Sequence, residues 1–465
     1  MTFPAHSAYK DSGVEWLGEV PLHWRVLPLK HLAEVDNSGC YGAEPDEADF
    51  VRPVATTAQI DSEGRFEVGR MSDRGFSAQE LSRYECSPGD VLIVKSSGSA
   101  ENIISGKAGL VRQETPAFVF SNFLMRLRYR RDVCLPSFLY ALLISHLTRE
   151  RIKQMCSTTT YPNLQVGLYT SAKLPCPSLS EQSQIVLFLD HETARIDALI
   201  EEQQRLIELL KEKRQAMISH SVTKGLDPTV LMKDSGVEWL GEVPAHWELT
   251  RVGWQCIVGN GCTPARDNQS YWDDGHYPWI NSSKVNLERV VEADQFVTSQ
   301  ALKECALPIV KPGSVLMAIT GEGKTRGMVT ITEIEATINQ HVAFIEPRGS
   351  ELLPTFLHDW LSANYSRLRH DSADWGSTKA AITCGDIRAY PLPLPPLAEQ
   401  EAICEFVGSK SSLIDGLISS ADKNVSLLYE RRSALISAAV TGKIDVRGWQ
   451  PPARAQAPVL EAEAV

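Results

Sequence analysis

Two stretches of the 465-residue chain carry apolar residues at helical spacing over an unusual length. In residues 174–227, Leu189, Ile196, Leu199, Leu206, Leu210 and Met217 fall on the a and d positions of one heptad frame, and Ile200 and Ile207 widen the stripe. In residues 392–445, Val407, Ile414, Leu417, Ala421, Leu428 and Leu435 keep the same frame. Each stretch predicts a long helix with a narrow apolar seam and charged flanks. Two such seams satisfy each other by pairing as an antiparallel coiled coil. Pro175 and Pro177 forbid helix upstream of the first, as Pro393, Pro395 and Pro396 do for the second, and Gly225 and Gly442 are natural stops. A continuous helix between Glu181 and Lys224 would run roughly 65 Å at about 1.5 Å per residue.

The front of each half repeats as well. Residues 11–24 read DSGVEWLGEVPLHW and residues 234–247 read DSGVEWLGEVPAHW, which differ at one position. The chain is therefore two copies of one plan related by a pseudo-twofold: a short motif, a variable body, then a long helix. Within the bodies, GDVLIVKSSGS at 89–99 answers GSVLMAITGEG at 313–323, each a strand running into a glycine-containing loop. Helical spacing at 135–155 and 353–369 makes both bodies mixed. The expected fold class is α+β: two mixed α/β domains, at 1–175 and 229–394, separated by helices at 176–228 and 395–446. The tail at 447–465, rich in Pro and Ala, is expected to be disordered.

Composition sets few exclusions. With 43% hydrophobic and 22% charged residues, the chain matches an ordinary globular protein. Its first residues lack the basic-then-apolar pattern of an export signal, and no run approaches a membrane span, so a cytoplasmic location without membrane contact is expected. Ten cysteines without CxxC pairs suggest neither a zinc ribbon nor a disulfide framework. The formal net charge of −12 by itself runs against nucleic-acid binding.

The motifs with catalytic overtones are weak. Gly323-Lys324-Thr325 resembles the end of a phosphate loop, but Ala318 stands where its first glycine should be. Glu322 and Lys324, with Asp273 and Asp274 upstream, could imitate the acidic cluster of a magnesium-dependent nuclease, yet the first body has no counterpart. His191-Glu192 starts like a zinc-binding helix, but Arg195 replaces the second histidine. No metal site, cofactor or catalytic centre is assigned to this chain.

The duplicated DSGVEWLGEVP.HW, the YPWINSSKV segment at 277–285, the strand GDVLIV, and the twin P.L.EQ…ID…I…L helices closed by VTKG and VTGK resemble the specificity subunit of type I restriction–modification systems, over nearly the whole chain. The resemblance implies that the two bodies are target-recognition domains, each reading half of a split sequence in double-stranded DNA, with the helices setting their separation. It further implies two modification (methyltransferase) subunits using S-adenosylmethionine, restriction (translocase/endonuclease) subunits using ATP and Mg, and no catalysis by this chain. A magnesium-dependent nuclease and a coiled-coil structural protein are the alternatives.

Base reading needs side chains with paired donors or acceptors on loops. The candidates are Lys95, Ser96, Ser97, Thr158, Thr159, Tyr161 and Asn163 in the first body. In the second they are Asn281, Ser282, Lys284, Lys324, Arg326, Ser377, Thr378 and Lys379. Asn339-Gln340, at a strand start, is read as structural. Glu181-Gln182 and Glu399-Gln400 fall in the first turn of each helix, where capping accounts for them. The basic pairs Lys213-Arg214 and Arg431-Arg432 are a candidate docking face or a solvated flank.

Overall fold

A computed structural model describes residues 3–61, 64–96, 103–156, 162–321, 323–372 and 380–452. The chain divides into two compact units, Met1–Gln203 with Lys423–Val465, and Gln204–Asp422. Both units mix helix and sheet, and the long helices, Leu179–Lys224 and Leu397–Val440, each contribute to both. No helix among the described residues is long and apolar enough to cross a membrane.

In the first unit a four-stranded antiparallel sheet runs in the order Ala33–Asp36, Leu124–Tyr129, Val91–Val94, Ala108–Leu110. A second sheet orders Ser72–Phe76, Phe50–Ala55, Val119–Phe120. The second unit repeats the scheme: Cys256–Asn260, Val342–Pro347, Val315–Ala318, Val329–Thr332 and Arg289–Val290 form one sheet, and Gln295–Val297, Tyr277–Ile280 and Thr337–Ile338 the other. Val91–Val94 and Val315–Ala318 are buried at every residue, which is why each reads as an unbroken apolar run rather than an alternating one.

The proline-rich segments ahead of the helices are strands. Lys173–Cys176 pairs only with Arg25–Pro28, and Pro391–Leu394 only with Glu248–Arg251, so each is an edge where a missing N–H is tolerated. They close each body back onto its own front motif.

The front motif is a hairpin with the same bonds in both copies. Asp11 Oδ1 accepts from the Gly13 N–H at 2.9 Å and Asp234 Oδ1 from the Gly236 N–H at 2.8 Å. Gly13 and Gly236 sit at φ of 69° and 71°, where a β-carbon would strain the backbone. Beyond the hairpin, Trp24 Nε1 donates to Glu181 at 2.9 Å and Trp247 Nε1 to Glu399 at 2.8 Å, while His23 and His246 lie 3.0 and 2.7 Å from the same carboxylates. The adjacent glutamines are wholly buried. Gln182 accepts from the Leu135 N–H at 2.8 Å and donates to the carbonyls of Val133 and Pro177; Gln400 accepts from Leu353 at 2.9 Å and donates to Glu351 and Pro395. Glu-Gln therefore does more than cap a helix. It ties the helix start to the front motif through Glu and to the loop entering the helix Pro136–Ile144, or Pro354–Ala363, through Gln.

The helix stops fall at the expected glycines. Gly225 and Gly442 take φ of 77° and 73°. A β-carbon on Gly442 would lie 2.4 Å from Pro21, and one on Gly225 3.3 Å from Trp247, so each glycine also seats a front motif against a helix end.

Inside the first unit the helices approach antiparallel: Gln184 bonds the Trp449 carbonyl and Asp197 pairs with Arg432 at 2.8 Å. Inside the second unit Arg214 pairs with Asp415, with Val222 and Ile403 in one core. The buried positions differ in part from the heptad reading. Ile196, Ile200, Ile207, Val407, Ile414 and Ala421 are buried, Leu189 joins the core, and Leu210, Met217, Leu428 and Leu435 are half-buried. Leu199, Leu206 and Leu417 are 41, 43 and 49% exposed, and Ile200, Ile207 and Ile418 take the inward places. Both helices carry apolar residues on two faces, and periodicity alone does not say which is covered. The tail assignment also shifts, because Trp449 packs edge-on against Phe188 at 5.2 Å; 453–465 lies outside the described residues.

Candidate nucleic-acid interface

In each body the strand that is buried on both faces ends beside the segment that precedes the long helix. In the first, Ser96 bridges Asn163, and Leu164 N–H donates to the Lys95 carbonyl at 2.8 Å. In the second, Thr320 bridges Ala381, and Ile382 N–H donates to the Ile319 carbonyl at 2.9 Å. In the first body two of the predicted reading segments thus meet, at Ser96 and Asn163; in the second the residues that meet, Ile319-Thr320 and Ala381-Ile382, were not predicted readers.

A third segment joins them. The Lys95 N–H donates to the Phe123 carbonyl at 3.0 Å, as the Ile319 N–H does to the His341 carbonyl at 2.9 Å. Phe123 and His341 therefore hold equivalent places over different chemistry. In the second body Thr320 Oγ1 lies 2.8 Å from His341 Nδ1, Gln340 Nε2 lies 3.2 Å from His341 Nε2, and Thr263 donates to Gln340. This chain of exposed donors and acceptors includes an amide and an imidazole, groups that can match base edges. In the first body the place is taken by Phe123, 49% exposed, with Lys95 beside it. Lys95 Nζ donates to the Asn37 carbonyl, and burial holds its pKa below the usual lysine value.

Thr263, Gln340 and His341 were not among the predicted readers. The Asn339-Gln340 pair was the available signal, and its two members separate: Asn339 is buried and accepts from the His341 N–H at 3.0 Å, which is structural, while Gln340 is exposed.

The remaining candidates are mostly engaged locally. Asn281 Oδ1 accepts from the Ser283 N–H at 2.9 Å, starting the short 3-10 turn Ser282–Asn286, and Lys284 pairs with Asp294 at 2.7 Å. Tyr365 donates to the Lys324 carbonyl at 2.6 Å. Arg326 is 5% exposed, so its side chain lies under the surface rather than on it. Ser97, Thr158, Thr159, Tyr161, Ser377, Thr378 and Lys379 lie outside the described residues, as does Glu322 of the nuclease reading.

Many surface cations are neutralised where they stand, Arg52 by Glu85, Arg74 by Glu44 and Arg289 by Glu333. That accords with a chain of net charge −12. Of the basic pairs on the helices, Arg214 and Arg432 reach across to Asp415 and Asp197 and serve helix pairing, leaving Lys213 and Arg431 exposed.

Residues 21–210 and 244–415 match the family profile described as the type I restriction modification DNA specificity domain. A provisionally named MjaX type I restriction enzyme specificity subunit of Methanocaldococcus jannaschii is 24% identical over 437 residues, covering 93% of this chain and 96% of the relative. Among solved structures, a chain from work on complex assembly and conformational transition of the type I R-M system aligns with a TM-score of 0.68 at 18% identity, covering 90% of this chain and 98% of that one. The HsdS subunit from Thermoanaerobacter tengcongensis aligns at 0.53 and 19% identity, covering 91% and 98%.

Proposed function

The chain belongs to the type I restriction–modification DNA specificity family, and from that premise we propose that each of its two bodies reads one block of a bipartite target in double-stranded DNA. As the non-catalytic specificity subunit it supplies recognition, and chemistry belongs to its partners. One observation carries the reading: a common backbone junction, built twice, displays different side chains, Lys95 and Phe123 in one body and Thr320, Gln340 and His341 in the other. A shared frame with unlike reading edges is what two unrelated half-sites require.

The bodies correspond to target-recognition domains at 1–175 and 229–394, and the helices at 176–228 and 395–446 to an antiparallel coiled-coil spacer. Two modification subunits, carrying S-adenosylmethionine, and restriction subunits, using ATP and Mg, complete the assembly, in the cytoplasm. The docking face for the modification subunits is the outward apolar side of the helices in the second unit, where Leu206, Leu413 and Leu417 are 43 to 60% exposed. Replacing Leu206 and Leu413 by Lys buries no charge in the folded chain, so its thermal midpoint should stay within about 2 °C, consistent with surface changes of about 0.5 kcal/mol. Co-purification of a modification subunit should fall at least about tenfold, since each desolvated leucine contributes ~1.5–3 kcal/mol. Unchanged co-purification would remove the docking assignment.

The test of function is a genome-wide map of N6-methyladenine with and without the gene. Loss of one split motif, two short blocks around a fixed gap, is expected. Identical maps, with the chain co-purifying with an active methyltransferase, would overturn the reading.

A further inference from the structure

His6, His23 and Glu181 bring two imidazole nitrogens and a carboxylate oxygen within 4.8 Å of one another, the one such group of metal-capable side chains among the described residues. The second half of the chain shares only part of it. His246 and Trp247 contact Glu399 as His23 and Trp24 contact Glu181, but the position answering to His6 is Thr229, which turns to Asp227 instead. The His-Trp-Glu clamp is thus common property, and the second histidine is an addition made once.

We propose that His6, His23 and Glu181 form a site for a divalent transition cation of the zinc class. Neutral imidazole and carboxylate are the donors such an ion takes, in tetrahedral geometry with bonds of about 2.0–2.1 Å. The edges of that tetrahedron are about 3.3 Å. The His23 Nε2–Glu181 Oε2 contact of 3.0 Å lies near this edge, and a His6 nitrogen stands within 4.8 Å of the ligand atoms of both. His6 is 7% exposed, and its Nδ1 makes no hydrogen bond within normal range, its nearest acid being Asp445 Oδ2 at 3.6 Å. A carboxylate behind a ligating imidazole fixes the ring and raises its basicity. Asp445 is itself held by both arms of Arg447, so it orients rather than ligates. Trp24 fixes the far oxygen of Glu181 at 2.9 Å. His23 is half exposed, which gives the ion a way in and a fourth position for water. Binding replaces water on the ion with the two imidazole nitrogens and the carboxylate oxygen, with no change of oxidation state.

The ion would staple segment 3–10, otherwise docked by the Asp445 N–H to Pro4 carbonyl bond of 2.7 Å and by Phe3 on Phe188, to the start of the first long helix. In the second half, residues 225–233 lead directly from helix to hairpin, so no staple is needed there.

The experiment is calorimetric titration of tag-free, chelator-treated full-length protein with zinc sulfate, and with cobalt(II) for its tetrahedral absorption bands. One ion per chain and a rise in thermal midpoint are expected. His6→Ala and His23→Ala should each weaken binding on the order of 100-fold, as loss of a ligand does at least as much as loss of its outer support. His246→Ala should bind as the parent does. His23→Ala, at a half-exposed position, keeps the test decisive if His6→Ala does not fold. No saturable binding by the parent, or equal binding by His23→Ala, would overturn the site.

Discussion

Exchanging residues 29–172 for the corresponding body of another specificity subunit changes one block of the methylated sequence completely and leaves the other block untouched. The junctions are chosen by the fold, since Arg25–Pro28 and Lys173–Cys176 pair with each other and remain with the recipient, along with the Trp24–Glu181 contact. Each body has its own buried cores, so its interior does not depend on which body stands in the other half. The expected effect is all-or-none because phosphate contacts position a protein whereas base contacts specify. Methylome sequencing reads it directly. Alteration of both blocks, or of neither, refutes the division of labour.

Gln182→Ala destabilises the first unit by about 3 kcal/mol. The amide is wholly buried and serves three backbone groups, the Leu135 N–H and the Val133 and Pro177 carbonyls, each of which is left without this partner at a cost of about 1–3 kcal/mol before relaxation. Gln400→Ala has an equal effect on the second unit through Leu353, Glu351 and Pro395. Gln182→Glu separates shape from bonding, because the carboxylate can still accept from Leu135 but cannot donate to either carbonyl. It should recover less than half of the loss. Urea unfolding followed by fluorescence measures all three; a shift under 1 kcal/mol for Gln182→Ala would mean that water replaces the amide and that the clamp lies elsewhere.

Among the helix residues, the two long elements and their ends were legible because local rules decide them. Prolines exclude helix upstream, left-handed glycines stop it downstream, and both act within a few residues of where they stand. The repeat of residues 11–24 was equally plain, since identity needs no geometry. The side of the helix that turns inward was not. Ile200 and Leu199 are neighbours of similar hydrophobicity, and only the partner helix, 235 residues away at the Asp197–Arg432 pair, selects the first.

Glu181 and Gln182 show the same limit. By sequence they occupy a helix first turn, where a carboxylate and an amide are ordinary, and nothing local points to Trp24 or Val133. Their recurrence beside an equally recurrent His-Trp pair was the trace of the clamp, and reading it requires knowing that the four residues meet. The exposure of Gln340 and His341 was not legible for a related reason: whether a polar side chain lies beneath the surface, as Asn339 and Arg326 do, or on it depends on strands from distant parts of the chain. Sequence alone thus determined the two-copy plan, the helices and their limits, all consequences of short-range sterics and periodicity. Tertiary structure alone decided which face is buried, what the repeated polar pairs hold, and where unlike side chains converge on a common backbone junction, because those depend on contacts between residues far apart in the chain.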